Sequence, residues 1–339
     1  MRWRTQSPNF SSRSRDWREN QRLKHFPDNR GMHLLIPFAF CSSEGCSSAL
    51  HSLKLPQLEK LLSRLTAERL DTGDELSLSP PHERALARAL GLPVQDGLIP
   101  WAALQSQADG AWGFVTPCHW QVGSKHVAMS GPVLPDFPAQ ESQALLAAMQ
   151  PYFAEDGITL RYDQPERWLA CGDAFAGLAT ASLDRVVGRN VASWMPDTHS
   201  AVNLQRLQSE MQMLLYSHPV NDARAARGVP PVNSFWLSGT GSLPQPSRQP
   251  AVEAEPLVIT ALRDAALRED WAAWAKAWQA IDATQCVTLL AALDRGESSQ
   301  LTLCGERNAQ RFITQPKPIL TRLLSFFGTQ PTSIVLEQL

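Results

Sequence analysis

LQRLQSEMQMLLYSHPVNDARAARGVPPVNSFWLSGTG, residues 204–241, decides how the chain is read, because a helix, a turn and a strand follow one another within it. Leu204, Leu207, Met211, Leu214 and Leu215 recur at i, i+3, i+7, i+10 and i+11, while Gln205, Arg206, Gln208, Ser209 and Gln212 take the other face, the period of an amphipathic helix. Pro219 stops it. Asn221 or Asp222 caps a short helix over 223–227, and Gly228 closes it in the left-handed conformation. Pro230 and Pro231 force extension, residues 232–237 read as a buried strand, and Ser238-Gly239-Thr240-Gly241 reads as a tight loop. Together these predict an α/β unit.

Composition bounds the rest. At 339 residues the chain holds two modest domains or one core with an insertion, and 43% hydrophobic against 19% charged residues is an ordinary globular balance. No run approaches the ~18 apolar residues of a membrane span. The formal charge of −2 conceals an asymmetry: residues 1–31 carry eight Lys/Arg against Asp16, Glu19 and Asp28. The remainder is therefore acidic, which argues against a nucleic-acid partner beyond weak contact through that tail. The tail is too poor in aliphatic residues to fold alone and reads as disordered, with an organelle transit or a nucleic-acid-binding arm as alternatives. It has no apolar segment of a secretory signal, and Met32 is taken as the natural start. Cys41, Cys46, Cys118, Cys171, Cys286 and Cys304 are scattered without a C-x-x-C pair, the pattern of a reducing compartment, so the chain is expected in the cytoplasm.

Along the chain, residues 33–40 (HLLIPFAF) read as a central strand with a bulge at Pro37, and residues 56–70 as a helix with Leu58, Leu61, Leu62 and Leu65 inward. Ser79 caps a second helix with Pro80 at its first position. Between 111 and 170 the apolar runs shorten (AWGFV, HWQVG, KHVAM, then ITLRY and RWLA after a helix over 141–150), which predicts an inserted antiparallel sheet. Residues 242–256 are a Pro-rich surface excursion. Residues 257–270, 271–282 and 318–327 read as helices and 300–304 (QLTLC) as a strand; Trp271, Trp274 and Trp278 share one helical face and read as core.

HPVNDARAARGVPPVNSFWLSGTG, residues 218–241, resembles the archaeal-type cofactor-independent phosphoglycerate mutases, in which a His-Pro-(Val/Ile)-Asn helix end leads to an Asn-x-(Ile/Phe)-Trp-Leu strand and a Gly-x-Gly loop. Residues 32–315 as a whole resemble the bacterial RpfE-type regulatory proteins, an offshoot of that fold. The resemblance implies the α/β three-layer sandwich of the alkaline phosphatase superfamily, with a core over 32–110 and 200–325, a small α+β cap over 111–199, and a C-terminal tail over 326–339. DGITLRY at 156–162 and Arg167-Trp168-Leu169 resemble the cap, and LDRVVGRNVASWMP at 183–196 resembles the linker back to the core.

In the mutases the first strand ends in an Asp-Gly pair whose aspartate binds metal, and a late strand ends in Asp-His. Cys41-Ser42-Ser43 and LTLCGER at 301–307 stand at those places, and no histidine follows His218. Phosphoryl transfer of this type needs about two divalent metals and a hydroxyl nucleophile, so the resemblance implies a pseudoenzyme with no metal and no cofactor. Counting back from Leu90-Gly91 puts His82 near the nucleophile's place; Ser79 reaches it only with a shift in register, its plain role being the helix cap. Those two are the catalytic candidates. Cys41, Asn233, Ser238, Gly239 and Gly241 are the ligand-binding candidates, around a cleft between cap and core. Asp197 with His199, and His119 with His126, lack a third metal ligand at diagnostic spacing. The expected function is that of a non-catalytic regulatory or interaction protein with a small ligand in the cleft or a protein partner. The alternative is a divergent mutase or phosphatase-type hydrolase acting on a small phosphorylated substrate.

Overall fold

The computed structural model describes residues 31–124, 126–131, 133–196, 202–244, 255–315 and 331–339. In chain order the elements are β1 (Met32–Ile36), α1 (Glu44–Ser52), α2 (Pro56–Arg64), β2 (Thr66–Asp71), α3 (Pro81–Ala89), α4 (Trp101–Ser106), β3 (Ala111–Cys118), β4 (Trp120–Val122) and β5 (Val127–Met129). There follow α5 (Ala139–Glu155), β6 (Thr159–Gln164), β7 (Arg167–Cys171), α6 (Leu183–Val186), α7 (Val202–Tyr216), α8 (Pro219–Ala226) and β8 (Ser234–Ser242). The chain continues with β9 (Leu257–Val258), α9 (Arg263–Leu267), α10 (Trp271–Ile281), α11 (Val287–Asp294), β10 (Ser299–Cys304), β11 (Ala309–Ile313) and α12 (Thr332–Glu337).

The run MHLLI of β1 is buried throughout, as a central parallel strand requires. It pairs in parallel with β9 and β10, and antiparallel β11 and β2 extend the sheet in the order β2-β11-β10-β1-β9. On one face Leu34, Ile36, Leu301, Leu303 and Phe312 pack against Leu58, Leu61, Trp274, Trp278 and Leu289; on the other, Leu35, Cys304 and Ala309 meet Ala85 and Leu86 of α3. Helices therefore cover both faces, giving three layers of an α/β core. The tryptophan stripe is core as expected, and its buried indoles are satisfied: Trp274 and Trp278 donate to the carbonyls of Phe38 and Ala39 at 2.9 and 3.3 Å. Helix α2 begins at Pro56 with no cap of its own; the Asp282 carboxylate, between α10 and α11, accepts from the Gln57 and Leu58 N–H groups, the latter at 2.7 Å.

The second sheet is antiparallel, in the order β6-β7-β3-β8. Leu145, Met149 and Phe153 of α5 and Leu207, Met211 and Leu215 of α7 pack on one face, while Ala102 and Ala103 of α4 meet Trp112 and Leu169 on the other.

Several expectations are corrected. The strand at 232–237 does not feed a loop. It runs as β8 through Gly239-Thr240-Gly241 to Ser242, beside β3 in the antiparallel sheet, so residues 202–244 pack with the inserted strands rather than with the five-stranded sheet. The reason lies in the glycines: Gly239 and Gly241, at φ 61° and 136°, absorb a register shift opposite Trp112 and Phe114 without reversing the chain. A Cβ on Gly239 would lie 3.0 Å from Phe114 and 3.1 Å from Trp101, so the bare backbone also seats α4. Gly239→Ala is expected to cost about 1–2 kcal/mol from the left-handed conformation alone, measured by urea unfolding, and to leave ligand binding unchanged.

The predicted helix over 56–70 stops at Arg64, because residues 66–71 fill the free edge of β11 and Asp71 is clamped there by Arg88 at 2.6 and 2.9 Å and by Arg84 at 3.2 Å. Residues 257–270 give only β9, a 3-10 turn and short α9. Pro81, not Pro80, opens α3, and Ser79 lies outside it. Helix α8 starts at Pro219 with His218 as its cap; Asn221 instead ties Leu215 and Val232 together through its amide. Residues 331–339, expected as tail, fold onto the first layer with Leu336 and Leu339 buried. The tail over 1–30, most of the Pro-rich excursion, the helix over 318–327 and the Asp197/His199 pair lie outside the described residues.

Candidate functional site

Beyond the carboxyl ends of β1 and β10, four pieces of chain converge: Cys41 and Ser43 after β1, Gly305 and Glu306 after β10, Pro80 and His82 at the start of α3, and residues 184–189 around α6. They enclose a cavity of about 140 Å³, with Trp271 and Leu267 on the far wall. At ~30 Å³ per water molecule this is room for a small ion or acid, well short of the ~300 Å³ at which drug-sized pockets begin. A larger depression of about 420 Å³ between α1, α2 and Pro331 has His51 and Glu59 as its ionisable lining residues and no convergent charge.

Arg189 and the exposed Glu269 line the cavity together with three further charged groups. Asp184 is gripped by Arg263, whose Nε donates to its two oxygens at 2.8 and 3.0 Å, and His82 Nε2 lies 3.2 Å from Oδ2. Burial works to raise this carboxyl, but Arg263 and His82 outweigh it and hold Asp184 well below the usual carboxylate range. Its contribution to stability is thus present above the unfolded value of about 3.9 and fades as pH falls toward the folded one. Asp184→Asn is accordingly expected to destabilise at pH 7, with the gap to wild type narrowing steadily below about pH 4 in pH-dependent urea melts.

Glu306 accepts the Ser42 N–H at 3.0 Å and pairs with Arg189. Burial opposes its charge, yet those two partners keep it below the ordinary value. The third group is Arg185, 2% exposed. Its Nη1 donates to the Glu306 carbonyl at 3.0 Å, whereas Nε and Nη2 have no partner among the described residues. Burial first, then Arg189 and Arg84, bring its pKa down to about 10, which leaves it charged at neutral pH. An unpaired donor on a buried group costs about 1–3 kcal/mol, so an acceptor reaching Nε or Nη2 would be stabilising.

Of the residues singled out in the sequence, Cys41 and His82 line the cavity. The others are elsewhere. Ser79 is buried, its Oγ accepting the Gly97 N–H at 2.9 Å and its own N–H going to Asp96 at 2.8 Å, so it braces a loop. Asn233 brackets Trp120, accepting its N–H at 2.7 Å and donating to its carbonyl at 2.8 Å, the hydrogen bonding expected of a polar residue among apolar neighbours. Ser238, Gly239 and Gly241 belong to β8 and do not line the cavity. His119 bonds the Pro231 carbonyl at 2.9 Å. Asp184, Arg185, Arg189 and Glu306 were missed; the signal was present in LDRVVGRN, two arginines one helical turn apart, but it reads as linker. The donor set does not fit a divalent-cation pair: Asp71, Asp184 and Glu306 each already serve arginines, and no group of three metal-ligating side chains occurs among the described residues.

No protein-family model matches the chain and no curated protein does, so the RpfE-type resemblance rests on the sequence motifs alone. Several solved structures are similar at a distance, two of them as follows. The PH0037 protein from Pyrococcus horikoshii is 12% identical with a TM-score of 0.42, over 84% of this chain and 88% of that one. A cofactor-independent phosphoglycerate mutase from Thermoplasma acidophilum is 14% identical with a TM-score of 0.36, over 91% of this chain and 99% of that one. Identities and scores this low assign no role to any residue of the chain.

Proposed function

We propose that this protein is a non-catalytic regulatory protein that binds a small anion, a phosphate or a small phosphorylated acid, in the cavity beside Arg185. The observation that carries it is the buried Arg185 guanidinium, two of whose nitrogens, Nε and Nη2, have no acceptor among the described residues. Its surroundings support the same reading. Asp184 and Glu306 are neutralised by Arg263 and Arg189, and the third lining carboxylate, Glu269, is exposed to solvent, so none of them repels an anion at full strength. Cys41 occupies the rim where the mutases would place a metal-binding aspartate, which favours binding over phosphoryl transfer.

Calorimetric titration with inorganic phosphate tests this, alongside an assay with 3-phosphoglycerate and added magnesium or manganese. Saturable one-to-one phosphate binding without turnover is the expected result. A second reading, a divergent mutase or phosphatase-type hydrolase, is favoured by His82, which faces the cavity with Asp184 at 3.2 Å to orient it as a proton carrier. Turnover that disappears in His82→Gln would establish that reading instead.

A further inference from the structure

The rim of the cavity carries a feature that anion binding does not use. Cys41, half-buried, lines it, and Cys46, fully buried in the first turn of α1, lies directly beneath. The Cys41 N–H donates to Cys46 Sγ at 3.3 Å, which holds the two cysteines against one another. None of the other four cysteines has such a neighbour: Cys118, Cys286 and Cys304 are buried singly, with burial pushing each thiol up, and Cys171 sits at the end of β7. The same short turn reaches the ligand groups, since the next residue, Ser42, gives its N–H to Glu306, the partner of Arg189.

We propose that Cys41 and Cys46 form a reversible disulfide with hydroperoxides as oxidant, and that closing it weakens anion binding in the adjacent cavity. The first half stands on the thiol pair alone; the second rests on the proposed anion site. Its contact with Cys46, then burial, pushes the Cys41 thiol up while the same contact lowers Cys46, so the pair's negative charge rests first on Cys46, which takes up the Cys41 proton as Cys41 meets the peroxide. The thiolate attacks the outer oxygen of the peroxide, the O–O bond breaks, and an alcohol leaves after taking up a proton, giving a sulfenic acid on Cys41. Cys46 then attacks that sulfur, the S–S bond forms, the S–O bond breaks and water leaves. Two thiols lose two electrons and the peroxide gains them. Drawing Cys41 onto Cys46 shifts the turn, removes the Ser42 N–H from Glu306, and returns unshielded negative charge to the wall that faces Arg185.

Treatment of the whole protein with tert-butyl hydroperoxide, followed by thiol counting and peptide mapping, tests the first half. Loss of two thiols, linkage of Cys41 to Cys46, and recovery with dithiothreitol are expected. Survival of both thiols, over-oxidation of Cys41 alone, or linkage of other pairs would overturn it. Phosphate affinity should fall about fivefold or more on oxidation, the lower end of measured site–site couplings, and in Cys46→Ser, which leaves the cavity lining intact, should not change on the same treatment. Equal affinity in both states overturns the coupling. Should phosphate bind neither state, the anion site fails rather than the switch, and amide exchange at Ser42 decides: faster exchange after oxidation supports the displaced turn, and unchanged exchange refutes it.

Discussion

Arg185→Met is expected to weaken phosphate binding by at least about a hundredfold while changing unfolding free energy by no more than about 1 kcal/mol. The first figure follows from two charge-assisted hydrogen bonds at about 1.5–3 kcal/mol each. The second follows from what the described residues give this side chain, a single bond to the Glu306 carbonyl and two donor nitrogens without partners. Replacing a buried, incompletely satisfied charge with an apolar group of similar volume is often neutral. The two measurements discriminate sharply, because a structural arginine would lose stability and leave affinity to follow. Unchanged affinity with a large loss of stability would overturn the anion site.

Arg224→Met should do the reverse, costing about 3–5 kcal/mol in urea unfolding with phosphate affinity retained at temperatures where the variant is folded. Arg224 is 0% exposed like a core residue, but every guanidinium nitrogen is used. Nε donates to the Pro230 carbonyl, Nη1 to Asp136 and Glu141, and Nη2 to Pro135, all at 2.9 to 3.0 Å, and the group lies 5.3 Å from the centre of the Phe137 ring. Removing it takes the donor from three carbonyls and leaves Glu141 to Arg227 alone, at the seam between α8 and the segment leading into α5. A loss below about 1 kcal/mol would show that water reaches those acceptors.

What the sequence disclosed tracks how local each signal is. The helical period of Leu204, Leu207, Met211 and Leu215 and the tryptophan stripe of α10 are set by neighbours in the chain and appear as read, whereas the apolar run over 33–40 is a strand only as far as Ile36 and turns at Pro37. Failures came where distant partners decide. Residues 66–71 continue a leucine-rich helical pattern but are taken by the edge of β11, and SGTG looks like a turn until β3 supplies a ladder for it. The site failed for the same reason. The motif resemblance points to Cys41 and His82, which line the cavity, but Arg185 and Glu306 are far apart in sequence, and a guanidinium with unpartnered nitrogens is a property of packing that no spacing encodes.

The two sheets also differ in how their strands are spread along the chain. Every strand of the antiparallel sheet comes from residues 111–242, whereas β1 must wait for β9 and β10, which begin at Leu257 and Ser299. During synthesis, then, the antiparallel half has all its partners outside the ribosome while MHLLI is still an unpaired apolar strand. That makes the opening of the chain the segment most exposed to wrong pairing, and the one a nascent-chain chaperone would have to shield until the last quarter emerges.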